Sequence, residues 1–288
     1  MTKSTQHLTP SARQGTPASG QGSWIKMTMM VTGLAVAMLA TNAIAAWPRS
    51  PVAALAIGPI LAAAMICLYI FTGRRVERRK VEEFPAHHAV RHLLLGTGLG
   101  VLMSGATVGI LALFGAYTIT GWGSIAGMLA VAGMMCAIAV SEEVFFRGVV
   151  FRLLRGRWGT PVALGVSAII FGLVHLVNPD ASLWGAFAIM IEAGIMLGAA
   201  YLATGSLWLA IGVHFGWNFA TTGLFGSITS GSEARDSLVT AVTSGSDWLS
   251  GGRFGPEASI IAILVCSIAT VVFLVIARRR NRQLPQRS

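Results

Sequence analysis

An all-α integral membrane protein, a bundle of about eight transmembrane helices around a polar site, is the fold class that three observations predict. Of 288 residues, 54% are hydrophobic and only 11% are charged. A water-soluble domain carries roughly 25% charged residues, so too little charge is present to cover a water-facing surface. The apolar residues come in runs of about 18 to 25, long enough to cross a bilayer at about 1.5 Å per residue. The basic excess, 21 Lys and Arg against 11 Asp and Glu for a net charge of +10, collects at the ends of those runs, where cations meet lipid headgroups and set orientation. A soluble enzyme, a disordered chain and a secreted disulfide scaffold are excluded. The same placement argues against a nucleic-acid partner, which would need the cations on one folded face. Cys67, Cys136 and Cys266 lie inside apolar runs without CxxC or Cys/His spacing and read as small buried hydrophobes.

Residues 1–23 are small and polar and are expected to form a flexible cytoplasmic tail. No short apolar core with a small-residue cleavage site opens the chain, so the first span is expected to remain as an uncleaved anchor. The spans fall near 24–46, 51–72, 93–117, 125–154, 162–178, 184–203, 206–226 and 258–277. They make one transmembrane domain, 24–280, with the chemistry concentrated in 125–225 and a basic cytoplasmic tail at 281–288. The fourth span, about 45 Å long at helical rise, must tilt or project from the bilayer. An even number of spans puts both termini on one side. With the N-terminus inside, 18 of the Lys and Arg fall in inner segments and 3 (Arg49, Arg235 and Arg253) in outer ones. That split predicts a multi-pass protein of the cell membrane with both termini cytoplasmic.

Gly96/Gly100/Ser104, Gly105/Gly109 and Gly194/Gly198 carry the small-residue spacing that lets helices approach closely in lipid. Trp24, Trp47, Trp122, Trp158, Trp184 and Trp208 fall near span ends and read as interfacial anchors. The Ser/Gly-rich stretch 227–257, with Glu233, Asp236, Asp247 and Glu257, is expected to be an exposed, partly mobile outer loop.

An ionisable group inside a span is costly and points to function. Those that stand there are Glu142, Glu143 and Arg147 in span four, His175 in span five, Glu192 in span six and His214 in span seven, with Asn218 as a buried amide. Glu143 and Arg147 are one helical turn apart and can pair, leaving Glu142 about 100° away round the helix. His214 and Asn218 share one helix face, as do Phe171 and His175. Three helices thus offer polar groups to one interior, where bundle proteins build their sites. A carboxylate with an imidazole beside it can take a proton from water. An imidazole N–H with an amide N–H can hold the oxyanion that follows attack on a carbonyl. Glu142 with His175 suit the first role, and His214 with Asn218 the second. A simple drawing sets Glu142 within about 10 Å of the inner face and His175 nearer the outer one, so the two depths must converge. Glu192 matches no motif and is expected to be a structural partner.

The run 141–148, SEEVFFRG, contains EExxxR; 171–175, FGLVH, is FxxxH; and 214–218, HFGWN, is HxxxN. In this order and spacing the chain resembles the CAAX-protease and bacteriocin-processing family of intramembrane proteases, which includes the type II CAAX prenyl endopeptidase. The resemblance implies that Glu142 and His175 activate water, that His214 and Asn218 stabilise the oxyanion, and that Glu143 and Arg147 support the site. It implies a membrane-anchored protein or peptide as substrate, with the lipid bilayer as the other partner. No cofactor is assigned. A Glu with two His could bind zinc, as the family's metalloprotease label would have it, but HExxH is absent. The other readings are a non-catalytic immunity or scaffold protein on the same fold and a transporter. A transporter would need an inverted repeat with broken helices, and the sequence carries no internal repeat.

Overall fold

The computed structural model describes residues 21–48 and 50–283. The expected flexible tail, for residues 1–20, and the end of the expected basic tail, 284–288, lie outside the described residues; residues 21–23 already belong to the first helix. The chain builds a helical membrane bundle. Its helices are α1 (Gln21–Ala46), α2 (Pro51–Arg75), α3 (Ala89–Leu113), α4 (Ile125–Glu143), α5 (Arg152–Val174), α6 (Leu183–Ile189), α7 (Met196–Thr204), α8 (Leu207–Asn218), α9 (Asp247–Ser250) and α10 (Ile260–Gln283). Capping side chains start several of them. Ser124 accepts from Gly127 N, Ser182 from Gly185 N and Ser206 from Trp208 N, while left-handed Gly205 ends α7.

Six helices among the described residues are long and apolar enough to cross a membrane, against the eight spans expected. The difference has two causes. One of the six, Ile125–Val177, covers two expected spans. It is broken at Gly159, whose φ of 79° and ψ of 175° leave the helical region, and it folds back there. Phe146 and Phe171, nearly equidistant from Gly159, meet edge to face at 4.9 Å. The segment from Leu207 through Leu224 is outside the six because His214, Asn218, Thr221 and Thr222 dilute its hydropathy.

Three helices run on into π-helical turns, Val144–Phe151 after α4, Met190–Ile195 after α6 and Phe219–Leu224 after α8. The first and third turns directly follow a polar residue of the interior, Glu143 and Asn218, and the second contains one, Glu192. Such turns collect at functional sites because the extra residue re-aims the side chains around it.

Glycine lets α3 and α8 touch backbone to backbone. A methyl group at Gly96 or Gly100 would overlap the backbone at Leu209 or Val213, and one at Gly212 or Gly216 would overlap that at Leu93 or Thr97. Gly194 lies against the Ala168 backbone of α5 in the same way and Gly198 against the Leu164 side chain, whereas Gly109 faces open space and Gly105 meets only Phe225, so that pair does not pack a helix. Gly58 on α2 and Gly133 on α4 form a further close crossing that the sequence spacing did not single out.

Loops close both ends. On one, Arg79 holds Glu77 and Glu83, Arg152 holds Glu77 at 2.6 Å, and Tyr69 donates to Gly148 O. Burial works against the Arg79 charge, but its hydrogen bonds to Glu77 and Glu83 outweigh that and hold the guanidinium above its ordinary range. On the other end, β1 (Tyr117–Trp122) pairs antiparallel with β2 (Val239–Thr243), a small sheet that an all-helical reading omits. The expected exposed loop 227–257 is largely folded in. Ser230, Ser237, Phe254 and Glu257 are buried, and Arg253 pairs with Asp180. Of the six tryptophans expected as anchors, Trp24, Trp47, Trp122 and Trp158 are exposed as anchors would be. Trp184 and Trp208 are half-buried, the first donating to Ala258 O and the second packing on Phe84.

Candidate active site

The fold-back at Gly159 answers the problem of depth. Counting at about 1.5 Å per residue, Glu142 and His175 each lie roughly 24 Å along their rods from that break. The rod that carries Glu142 runs on to Gly159, a few residues past the expected 154, so Glu142 lies near the middle of the 125–159 rod and not near its end. The two residues line one cavity of about 280 Å³, together with Asn42, Asn218, Ser230 and Arg235. Behind it, a chamber of about 10 Å³ is bounded by His175, Glu192, His214, Asn218, Ser230 and Glu257, roughly the room one water needs.

Each side chain is held. Glu142 Oε1 accepts from Asn42 Nδ2 at 2.9 Å, and the amide is oriented in turn by Ser141, whose hydroxyl donates to Asn42 Oδ1 at 2.7 Å. Glu143 is fully buried; its Oε1 accepts from Arg147 at 2.7 Å and faces His214 Nδ1 at 2.9 Å. Arg147 also donates to the carbonyls of Ala193 and Gly194 at 2.8 and 3.0 Å, and its guanidinium lies 4.7 Å from the Phe171 ring centre. One arginine thereby ties the α4 extension, the 190–195 turn and α5 together. His175 Nδ1 lies 2.7 Å from Phe171 O. A carbonyl can only accept, so Nδ1 carries the proton and Nε2 of the neutral ring keeps its lone pair. By the same logic, His214 Nδ1 donates to the Glu143 carboxylate. Its Nε2 is 3.8 Å from Glu142 Oε2, too long for a hydrogen bond.

Two of the residues around the cavity were not foreseen as parts of it. Asn42 could have been noticed as a lone amide inside an apolar run. Glu257 reads as a loop acid, yet it is 1% exposed and accepts from Trp217 Nε1 at 2.8 Å, Ser230 N at 2.6 Å and Ser230 Oγ at 2.7 Å. Burial pushes its carboxyl above the ordinary carboxylate range despite those donors. Glu192 has a structural contact, the Cys266 thiol at 3.8 Å from Oε1, while its Oε2 has no partner among the described residues. Among the described residues no three His, Cys, Asp or Glu side chains are disposed to hold a metal ion. The atoms left free, the two Nε2 atoms and Glu142 Oε2, are not disposed as such a cluster, so a zinc site does not fit this arrangement and no step below runs through one.

Residues 123–220 match the family model described as type II CAAX prenyl endopeptidase Rce1-like, a stretch that contains all three motifs. No curated protein and no solved structure matches the chain. At the level of the family, the match supports a protease of the CAAX type that works within the membrane.

Proposed function

We propose that the Rce1-like segment makes this chain an intramembrane endopeptidase, cleaving peptide bonds of membrane-anchored proteins or peptides with water activated by Glu142 and His175. The observation that carries the reading is that Glu142, His175 and Asn218, from three separate helices, face one cavity inside the bundle, with His214 Nε2 turned toward Glu142.

Glu142 Oε2 and His175 Nε2 are the basic atoms left free by the contacts above. Either can take a proton from a water held between them as the water oxygen forms a bond to the scissile carbonyl carbon. The carbonyl oxygen becomes an oxyanion, for which the Asn218 amide N–H and the His214 Nε2–H are the donors. His214 can donate from Nε2 only as an imidazolium, because Nδ1–H is already given to Glu143. In that form His214 stands between two acidic side chains, Glu142 and Glu143. The intermediate collapses when the C–N bond breaks and the leaving amine receives the proton first taken from water. Glu143 and Arg147 position His214 and do not touch the substrate.

The test compares membrane-peptide profiles of cells carrying the wild-type chain with those carrying Glu142→Gln at equal abundance. Loss of a general base lowers turnover by about 10²- to 10⁴-fold, so specific cleavage products should disappear. Identical profiles in the two strains would defeat the reading.

A further inference from the structure

The cavity is open toward one end of the bundle and closed toward the other. Its rim is made where α1 and α5 stop, at Ala46 and at Val177 and Asn178, and by the loop from Thr229 to Arg235. These pieces are joined: Arg235 donates to Ala46 O at 3.3 Å, Asn178 Nδ2 to Ser230 O at 2.6 Å, and Asp180 N to Gly231 O at 3.0 Å. On the far side of Glu142 the bundle is sealed, since Tyr69, Glu143, Phe146, Arg147 and Phe151 are each at most 2% exposed.

The sealed end is the basic one. Arg157 lies over the Trp24 ring at 5.5 Å, Arg152 pairs with Glu77, Leu207 N donates to Glu83 O, and Arg280 packs on Gly205, so these segments share one face. Lys26, Arg74, Arg75, Arg78, Arg155 and Arg279 belong to the same segments, while the described cations of the open face are Arg235 and Arg253. Cations concentrate on the cytoplasmic side, which makes the open face the non-cytoplasmic one.

The opening also has an apolar side. Between α1 and α5 its lip is formed by Leu39, Val174 and Val177, which are 60%, 38% and 83% exposed. α1 packs chiefly on α4 and α2, whereas α5 packs on the 144–151 and 190–195 turns; the two lip helices meet through Trp24 and Arg157 at the basic end, away from the lip. Exposed aliphatic side chains at this depth face lipid.

We infer that the substrate reaches Glu142 sideways between α1 and α5, and that it is a membrane-anchored polypeptide cut in the stretch next to its anchor on the non-cytoplasmic side of the bilayer. This rests on the endopeptidase reading. A lateral slot admits a chain still held by its apolar anchor, and the polar rim of Asn178, Ser232 and Arg235 suits the extended peptide that follows it. A cytosolic C-terminal tail has no route to the site, because the groups between it and Glu142 are packed.

Two measurements test the inference. Ser232→Cys and Arg155→Cys are treated, in intact cells, with a membrane-impermeant maleimide, and labelling is read above that of the parent chain. Label on Ser232→Cys alone, with Arg155→Cys labelled only after permeabilisation, is expected; the reverse pattern overturns the inference. In the profiles of wild-type and Glu142→Gln cells, the Glu142-dependent cleavage points are then mapped onto their substrates. Points in non-cytoplasmic juxtamembrane stretches support it, and their loss when Val177→Cys carries a bulky maleimide supports the lateral route. Points in cytoplasmic stretches overturn the inference while leaving the endopeptidase standing. Identical profiles remove the endopeptidase itself, and the labelling arm still decides which face is open.

Discussion

Asn42 on α1 and Glu142 on α4, 100 positions apart in sequence, share a hydrogen bond of 2.9 Å. The amide fixes one carboxylate oxygen and leaves the other toward the cavity. A hydrogen bond to a charged group contributes about 1.5–3 kcal/mol. Asn42→Ala is therefore expected to lower cleavage by roughly 10- to 100-fold with the fold intact, less than the loss from Glu142→Gln. Asn42→Asp should be the more harmful of the two Asn42 variants, since it sets a second acid against Glu142. Rates of product formation on a verified substrate check both, and an Asn42→Ala variant as active as wild type would separate α1 from the chemistry.

Arg147 is 2% exposed, and every contact it makes holds one part of the site to another. Removing one partner of a buried ion pair costs about 3–5 kcal/mol. Arg147→Ala leaves Glu143 without its arginine and the Ala193 and Gly194 carbonyls without a donor, so the protein should unfold at a lower temperature in detergent and lose activity. Arg147→Lys should recover little, because an ammonium on a flexible stem cannot span the carboxylate and two carbonyls as the planar fork does. Thermal melts of the three forms, read beside activity, decide this.

The glycines divide by what they touch. Gly100→Val and Gly216→Val drive side chains into the backbone of the facing helix and should cost at least about 1–3 kcal/mol, moving His214 away from Glu143. Gly109→Ala meets open space and should be neutral or stabilising by roughly 0.5–1 kcal/mol, the usual helical preference for Ala. Melting temperatures that fail to separate these variants would mean that the α3–α8 crossing is not what sets the position of His214.

The membrane bundle was legible because hydrophobicity and charge placement are sums over many residues and survive local error. The polar residues of the cavity were legible because a charged group in an apolar run is conspicuous. What sequence did not reveal depends on geometry that periodicity does not encode. The turn between the expected fourth and fifth spans falls at Gly159, a few residues past the expected end at 154, and this shifts Glu142 in depth. The π-helical turns at Val144–Phe151, Met190–Ile195 and Phe219–Leu224 break the 3.6-residue count on which face assignments rest. Asn42 and Glu257 join the site through contacts between distant segments, and Glu257 resembled any other loop acid until Trp217 and Ser230 were seen to enclose it. The Gly58–Gly133 crossing joins different helices, so no spacing within one helix announces it.

The histidines also bear on the question of a metal. A zinc ligand set needs side-chain atoms free to point at one centre, with the other imidazole nitrogen of each histidine held by a partner. Here the Nδ1 atoms are held, by Phe171 O and by Glu143, which leaves two Nε2 atoms and Glu142 Oε2, yet these are not disposed as a metal cluster among the described residues. With water activation assigned to Glu142 and His175, cleavage should persist after incubation with a strong chelator, and the purified protein should hold well under one equivalent of zinc. The measurement is a chelator titration of Glu142-dependent cleavage, run beside elemental analysis of the same sample. One equivalent of zinc, together with activity that falls on chelation and returns when zinc is restored, would transfer the activation of water from the carboxylate to a metal. Glu142 and the two histidines would then become its ligands, and the Asn42 hydrogen bond would serve to orient a ligand instead of a base.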